Sequence, residues 1–151
     1  MKIFLALFIL ITLYTNTKAQ DDMEKVNSIV NKVKEKFAPD KRTAVFNLEA
    51  TVSENKFIIK GETNIADAKL EFIRLMKESN LNFYDQIEML PSEKLGEKKF
   101  GVINLSVANI RSKPDHHEEL ATQSILGTPI KILKKGEDGY YLVQTPDNYI
   151  S

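Results

Sequence analysis

Residues 46–90 read FNLEATVSENKFIIKGETNIADAKLEFIRLMKESNLNFYDQIEML, and their changing period decides the fold of the first half. Phe46, Leu48, Ala50 and Val52 alternate with polar or smaller partners, as a half-buried strand requires. Ser53-Glu54-Asn55 supplies turn residues, and residues 57–60 read as the returning strand of a hairpin. From Asn64 the period lengthens to that of a helix. Asn64 is placed to cap it, Asp67 stands at the third position, and Ile65, Ala68, Phe72, Leu75 and Met76 form the buried stripe. Residues 83–90 return to alternation through Phe83, Ile87 and Met89 before Pro91 stops the strand.

Upstream, Val26, Ile29, Val30, Val33 and Phe37 recur at helical spacing. Asp21 with Glu24 has the spacing of a capping box, and Ala38-Pro39 ends the segment. The order is helix, strand, strand, helix, strand. Two helices over one face of a small sheet bury every stripe, so residues 21–91 are expected to form an α+β layer domain.

The first residues carry a compartment signal. Lys2 is a positive start, residues 3–14 are apolar except Thr12, and Thr17-Lys18-Ala19 places small residues three and one positions before a cut. A membrane-spanning helix needs about 20 apolar residues, more than this run offers. Residues 1–19 therefore read as a signal peptide, Gln20 as the first mature residue, and the chain as periplasmic or secreted. Removing Lys2 and Lys18 leaves 19 bases against 21 acids, a charge of −2, with no stable membrane anchor expected.

Composition excludes several functions. The 151 residues hold 21 bases and 21 acids, without the basic surplus of a nucleic-acid binder. With no cysteine there is no disulfide, no thiolate metal site and no thiol nucleophile. A composition 42% hydrophobic and 28% charged is that of a folded domain rather than a disordered chain.

After a charged stretch, residues 92–100, which reads as a linker, the pattern shifts to short strands at 102–107, 124–126, 129–133 and 140–145. Gly127-Thr128-Pro129, residues 135–139 and Pro146-Asp147-Asn148 punctuate them. This is the pattern of a small all-β barrel over residues 101–151.

The second half resembles a bacterial SH3 domain. The matching residues are Val107-Ala108-Asn109-Ile110-Arg111-Ser112-Lys113-Pro114, Glu119-Leu120-Ala121-Thr122-Gln123, Leu126-Gly127-Thr128-Pro129-Ile130-Lys131-Ile132-Leu133, and Gly139-Tyr140-Tyr141-Leu142-Val143-Gln144-Thr145-Pro146-Asp147. The resemblance covers roughly residues 102–151 and is nearest to the SH3 domain of secreted NlpC-type cell-wall cysteine peptidases. It implies an SH3-like barrel with Ile130 and Ile132 pointing inward. The first half resembles a BON-type α+β domain in its element order and in Gly61 at the end of the hairpin. Tyr140 stands where these SH3 domains often have Trp, and Asn148 where Gly is usual. Their terminal Trp-containing strand and catalytic domain normally follow position 149, so the barrel is expected to lack its last strand. The peptidase cysteine and histidine have no counterpart, which makes the chain a non-catalytic relative, or a piece, of a larger peptidase.

Few residues invite chemistry. His116-His117 lies in the predicted long loop beside Asp115, Glu118 and Glu119, but adjacent residues rarely converge on one metal ion and no third histidine exists. A solvated loop is the expectation, with no metal and no cofactor. Ser106, Ser112 and Ser124 lack the setting of a catalytic triad. Tyr141 and Tyr149 are candidates for an aromatic groove that receives an extended peptide. Alternation turns Tyr140 and Tyr141 opposite ways, with at least one in the core. Arg111 is a candidate for a stem-peptide carboxylate, with an ion pair to Glu119 as the structural alternative. The expected function is a non-catalytic module that binds or positions peptidoglycan stem peptides, with those peptides or a catalytic peptidase domain as partners. A periplasmic scaffold binding other proteins is the alternative.

Overall fold

The computed structural model describes residues 2–53, 56–136 and 139–151, with side chains in the first helix described from Lys18 onward. Helix α1 (Lys2–Phe37) is followed by β1 (Phe46–Ser53), β2 (Lys56–Thr63), α2 (Ala66–Glu78) and β3 (Phe83–Met89). The predicted order of helix, strand, strand, helix, strand is therefore the observed one. β1 and β2 pair antiparallel, while β2 and β3 pair parallel across α2, giving a three-stranded sheet in the order β1-β2-β3. A parallel pair needs a crossover, and α2 supplies it.

The stripes meet in one core. Val26, Ile29 and Val33 of α1 pack with Ala68, Phe72 and Met76 of α2 over Phe46, Phe57, Ile59 and Ile87 of the sheet. Val30, Phe37, Ile65 and Leu75 line its margin. Phe72 and Phe83 meet edge to face with centroids 6.5 Å apart, a geometry worth about 1 kcal/mol beyond burial. Lys69 ties α2 to the sheet by donating to the Ile87 carbonyl at 2.7 Å and pairing with Asp85 at 3.1 Å.

Several local expectations give way. α1 runs unbroken through Asp21, so Asp21 does not open a capping box; it pairs instead with Lys25 one turn on, at 2.8 Å. The apolar run at 3–14 lies within this helix, but its side chains are outside the described residues. Glu54 and Asn55 of the expected hairpin turn also lie outside them, as do Glu137 and Asp138. Asn64 does not cap α2. Its Oδ1 accepts from the Val45 N–H at 2.8 Å, while the Ile65 N–H donates to Thr63 Oγ1 at 3.2 Å. Thr63, fully buried, also donates to the Val45 carbonyl at 2.8 Å. These bonds tie the residue before β1 to the end of β2. Gly61 sits within β2 rather than at a hairpin end, with φ +135°.

In the second half a 3-10 turn (Glu93–Leu95) leads to β4 (Phe100–Val102), β5 (Val107–Arg111), β6 (Leu120–Ile125), β7 (Pro129–Lys135) and β8 (Tyr141–Gln144). The strand expected over 102–107 is split in two. Between the pieces, Ile103 donates to Thr128 and Ser106 accepts from Leu126, which turns the chain. The sheets are open: β4-β7-β8 has three strands and β5-β6 has two. Ile130 and Ile132 pack where a Cβ on Gly101 would touch them, at 3.4–3.5 Å. Residues 149–151 return along β8: Thr145 donates to Tyr149, and Val143 and Ser151 exchange both backbone bonds. The described residues thus combine an α+β first half with an SH3-like β half whose sheets remain open.

The halves touch. Ser92 is buried and donates to the Leu133 carbonyl at 2.7 Å, and Ile150 donates to the Arg42 carbonyl at 2.7 Å. Val45 and Leu90 from the first half form a buried cluster with Leu133 and Ile150 from the second, edged by Leu142. Lys134 reaches Glu62 at 2.6 Å.

Candidate functional site

The long loop after β5 is held by its own ends. Ser112 donates to the Glu119 carbonyl at 2.9 Å, and Arg111 Nη1 donates to the Glu118 carbonyl at 2.8 Å. The alternative of an Arg111 ion pair with Glu119 is thus replaced by a bond to backbone, which suits the guanidinium because a loop carbonyl is a fixed acceptor. Lys113 pairs with Glu118 at 3.0 Å across the loop mouth. At the tip, Asp115 accepts from the His117 N–H at 2.8 Å and lies 3.0 Å from His117 Nδ1. The His117 N–H, and after it the ring, hold the Asp115 carboxyl below its ordinary range. The His117 side chain is otherwise almost wholly in solvent.

His116 points the other way. Its ring meets Tyr140 with centroids 5.9 Å apart and planes tilted by 59°. Tyr140 ends the β7–β8 loop, and Gly136 donates to its carbonyl at 2.8 Å. Two loops separated in sequence thus bring His116 and Tyr140 together, with Arg111 at the root of the first. Tyr140 is half-buried, and Tyr141 is 47% exposed, so neither is core, contrary to the alternation argument. The short β8 begins only at Tyr141, which leaves Tyr140 outside the pleat that would have turned it inward.

Tyr149 stands elsewhere. Its ring lies beneath the Arg42 guanidinium, 5.8 Å from centroid to Cζ, and Arg42 is held by Asp40 at 2.7 Å. Arg42 in turn keeps the Asp40 carboxyl down at about 2. Of the three candidates, Tyr149 packs under Arg42, Arg111 bonds to the Glu118 carbonyl, and Tyr141 is exposed at the start of β8. The aromatic partner of the Arg111 loop is Tyr140, whose contact with His116 no spacing rule connects. Arg42 over Tyr149 was equally invisible, because it joins residues of different halves.

Two shallow clefts lie on the helical half instead. One, about 460 Å³, follows Glu24, Asn27, Ser28, Asn31, Lys32 and Glu35 on the outer face of α1. The other, about 400 Å³, lies between α1 and α2, where Glu71 takes both Arg74 and Lys36 and has its carboxyl held near 2. Among the described residues no three His, Asp or Glu side chains converge as metal ligands, and no buried side-chain polar atom lacks a partner.

No curated protein and no solved structure matches the chain. Residues 110–151 match the family model described as the bacterial dipeptidyl-peptidase Sh3 domain. The match takes in the Arg111 loop, Tyr140 and β6–β8, so this part of the chain is a bacterial SH3 domain.

Proposed function

We propose that the chain is an exported, non-catalytic module whose SH3 domain binds or positions peptidoglycan stem peptides. The match of residues 110–151 to an SH3 domain of dipeptidyl-peptidase type carries this reading. We place the ligand face where His116 and Tyr140 meet, and include Arg111 at the root of the His116 loop and the exposed Tyr141 next in sequence to Tyr140. An aromatic surface with a nearby base suits an extended peptide that ends in carboxylates. The ancestry we assign is the N-terminal region of an NlpC-type peptidase, with a BON-like domain before the SH3 unit.

Retention on purified peptidoglycan, compared with retention on immobilised periplasmic extract, tests the reading. The native chain is expected on peptidoglycan, with Tyr140→Ala and Tyr141→Ala weakening it and leaving the melting temperature unchanged. Binding to extract proteins alone favours the scaffold reading. The same purified chain is expected to leave muropeptides intact, since a cysteine-free chain has no thiolate nucleophile. Turnover abolished by His116→Ala or His117→Ala contradicts a non-catalytic role.

A further inference from the structure

The β half has little core of its own. Among the described residues after position 98, the buried apolar side chains are Ile110, Leu133, Val143 and Ile150. Two of the four, Leu133 and Ile150, belong to the cluster shared with Val45 and Leu90. Over the same stretch Phe100, Val102, Leu105, Val107, Leu120, Ile125, Leu126 and Tyr141 are exposed. A unit of about fifty residues buries a small share of its surface even when well packed, and a two-stranded sheet is marginal by itself. The first half is built differently. Its core cluster holds twelve buried residues, and Val45 is fixed on Thr63 and Asn64, and Leu90 on Thr63, by hydrogen bonds.

We propose that the α+β half is the folding platform of the β half, with residues 149–151 as the strap. Ile150 is the pin: its side chain enters the shared cluster and its N–H bonds to the Arg42 carbonyl. On either side of it, the Arg42 guanidinium lies over Tyr149, and Ser151 exchanges bonds with Val143. Ser92 to Leu133 and Lys134 to Glu62 hold the opposite strand of the same contact. The Tyr140 loop joins β7 to β8, which rest on the platform, and His116 of the β5–β6 loop packs on the Tyr140 ring, so both loops are then ordered only while the platform is engaged. The two halves therefore unfold together and not as beads on a linker. This inference concerns folding alone and stands whether or not the SH3 unit binds peptidoglycan.

Amide hydrogen exchange on the full chain tests it, read in β5–β6, which contributes nothing to the shared cluster, and in α2 and β2. Leu90→Ala removes a side chain of the first half. It is expected to speed exchange at Ile110, Thr122 and Ser124 by about thirtyfold or more, the population shift that follows from losing a buried Leu. Ile150→Ala is expected to do the same, and the milder Ile150→Val to give about three- to tenfold should either alanine variant fail to fold. Unchanged β5–β6 exchange in Leu90→Ala, or in Ile150→Val where that variant is used, would show that the β half is ordered by itself.

Discussion

Gly61→Ala is the sharpest perturbation the structure offers. Gly61 lies in β2 opposite Leu48 of β1, and its φ of +135° belongs to a region that side chains avoid. A Cβ built there stands 1.9 Å from the Asn47 carbonyl oxygen and 2.9 Å from its carbon. The obstacle is backbone in a paired strand, so it cannot rotate aside; relief requires parting β1 from β2 or flipping a peptide. Strain at such a φ costs about 1–3 kcal/mol and forced overpacking about 1–3 kcal/mol, so we expect a loss of about 3–5 kcal/mol. That is a large share of an ordinary domain's stability, and it lowers the melting temperature by about 10 °C or more. Thermal unfolding followed by circular dichroism measures it. Two controls separate the causes. Gly127→Ala meets φ +85° but nothing within 4 Å, so it carries conformational strain alone, about 1 kcal/mol. Gly101→Ala touches Ile132 and Ile130 at 3.4–3.5 Å and should change little. If Gly61→Ala melts within about 2 °C of the native chain, the close approach of Asn47 is not a feature of the folded protein.

Acid should weaken the helical half through identified pairs. Arg74, and after it Lys36, hold Glu71 at about 2, and Arg42 holds Asp40 at about 2. Both carboxyls are depressed on folding, so their contribution is present above the ordinary carboxylate range and is lost as pH falls from about 4.5 toward 2. Urea midpoints across that window should fall less steeply for Glu71→Gln with Asp40→Asn than for the native chain; parallel curves would assign the acid sensitivity elsewhere. Expressed from its own start, the chain is expected outside the cytoplasm with Gln20 first, open or cyclised. Mass spectrometry finding intact Met1 on membrane-embedded protein would count against export.

The sequence determined the parts of this protein whose signal is local. A period of 3.6 in residues 26–37 and 65–76, and of 2 in residues 46–52, follows from which side chains must be buried on one face. The stripe of Ala68, Phe72 and Met76 was accordingly legible before any coordinates. The SH3 unit was legible too, since its turns depend on residues such as Gly127, at φ +85°, whose backbone freedom is intrinsic. Tertiary structure alone decided the rest. Asn64 could cap a helix by itself, but the Val45 N–H brought alongside it by β1–β2 pairing is the donor it takes. Tyr140 alternates with Tyr141 as if in a pleat, yet β8 starts one residue later and the His116 loop receives its ring. Ser92 begins a stretch with the composition of a linker, and is buried because the Leu133 carbonyl needs its N–H. In each case a polar group or ring with several possible partners takes the one delivered by a distant strand. Local period records how much of a residue is buried, and leaves open which neighbour buries it.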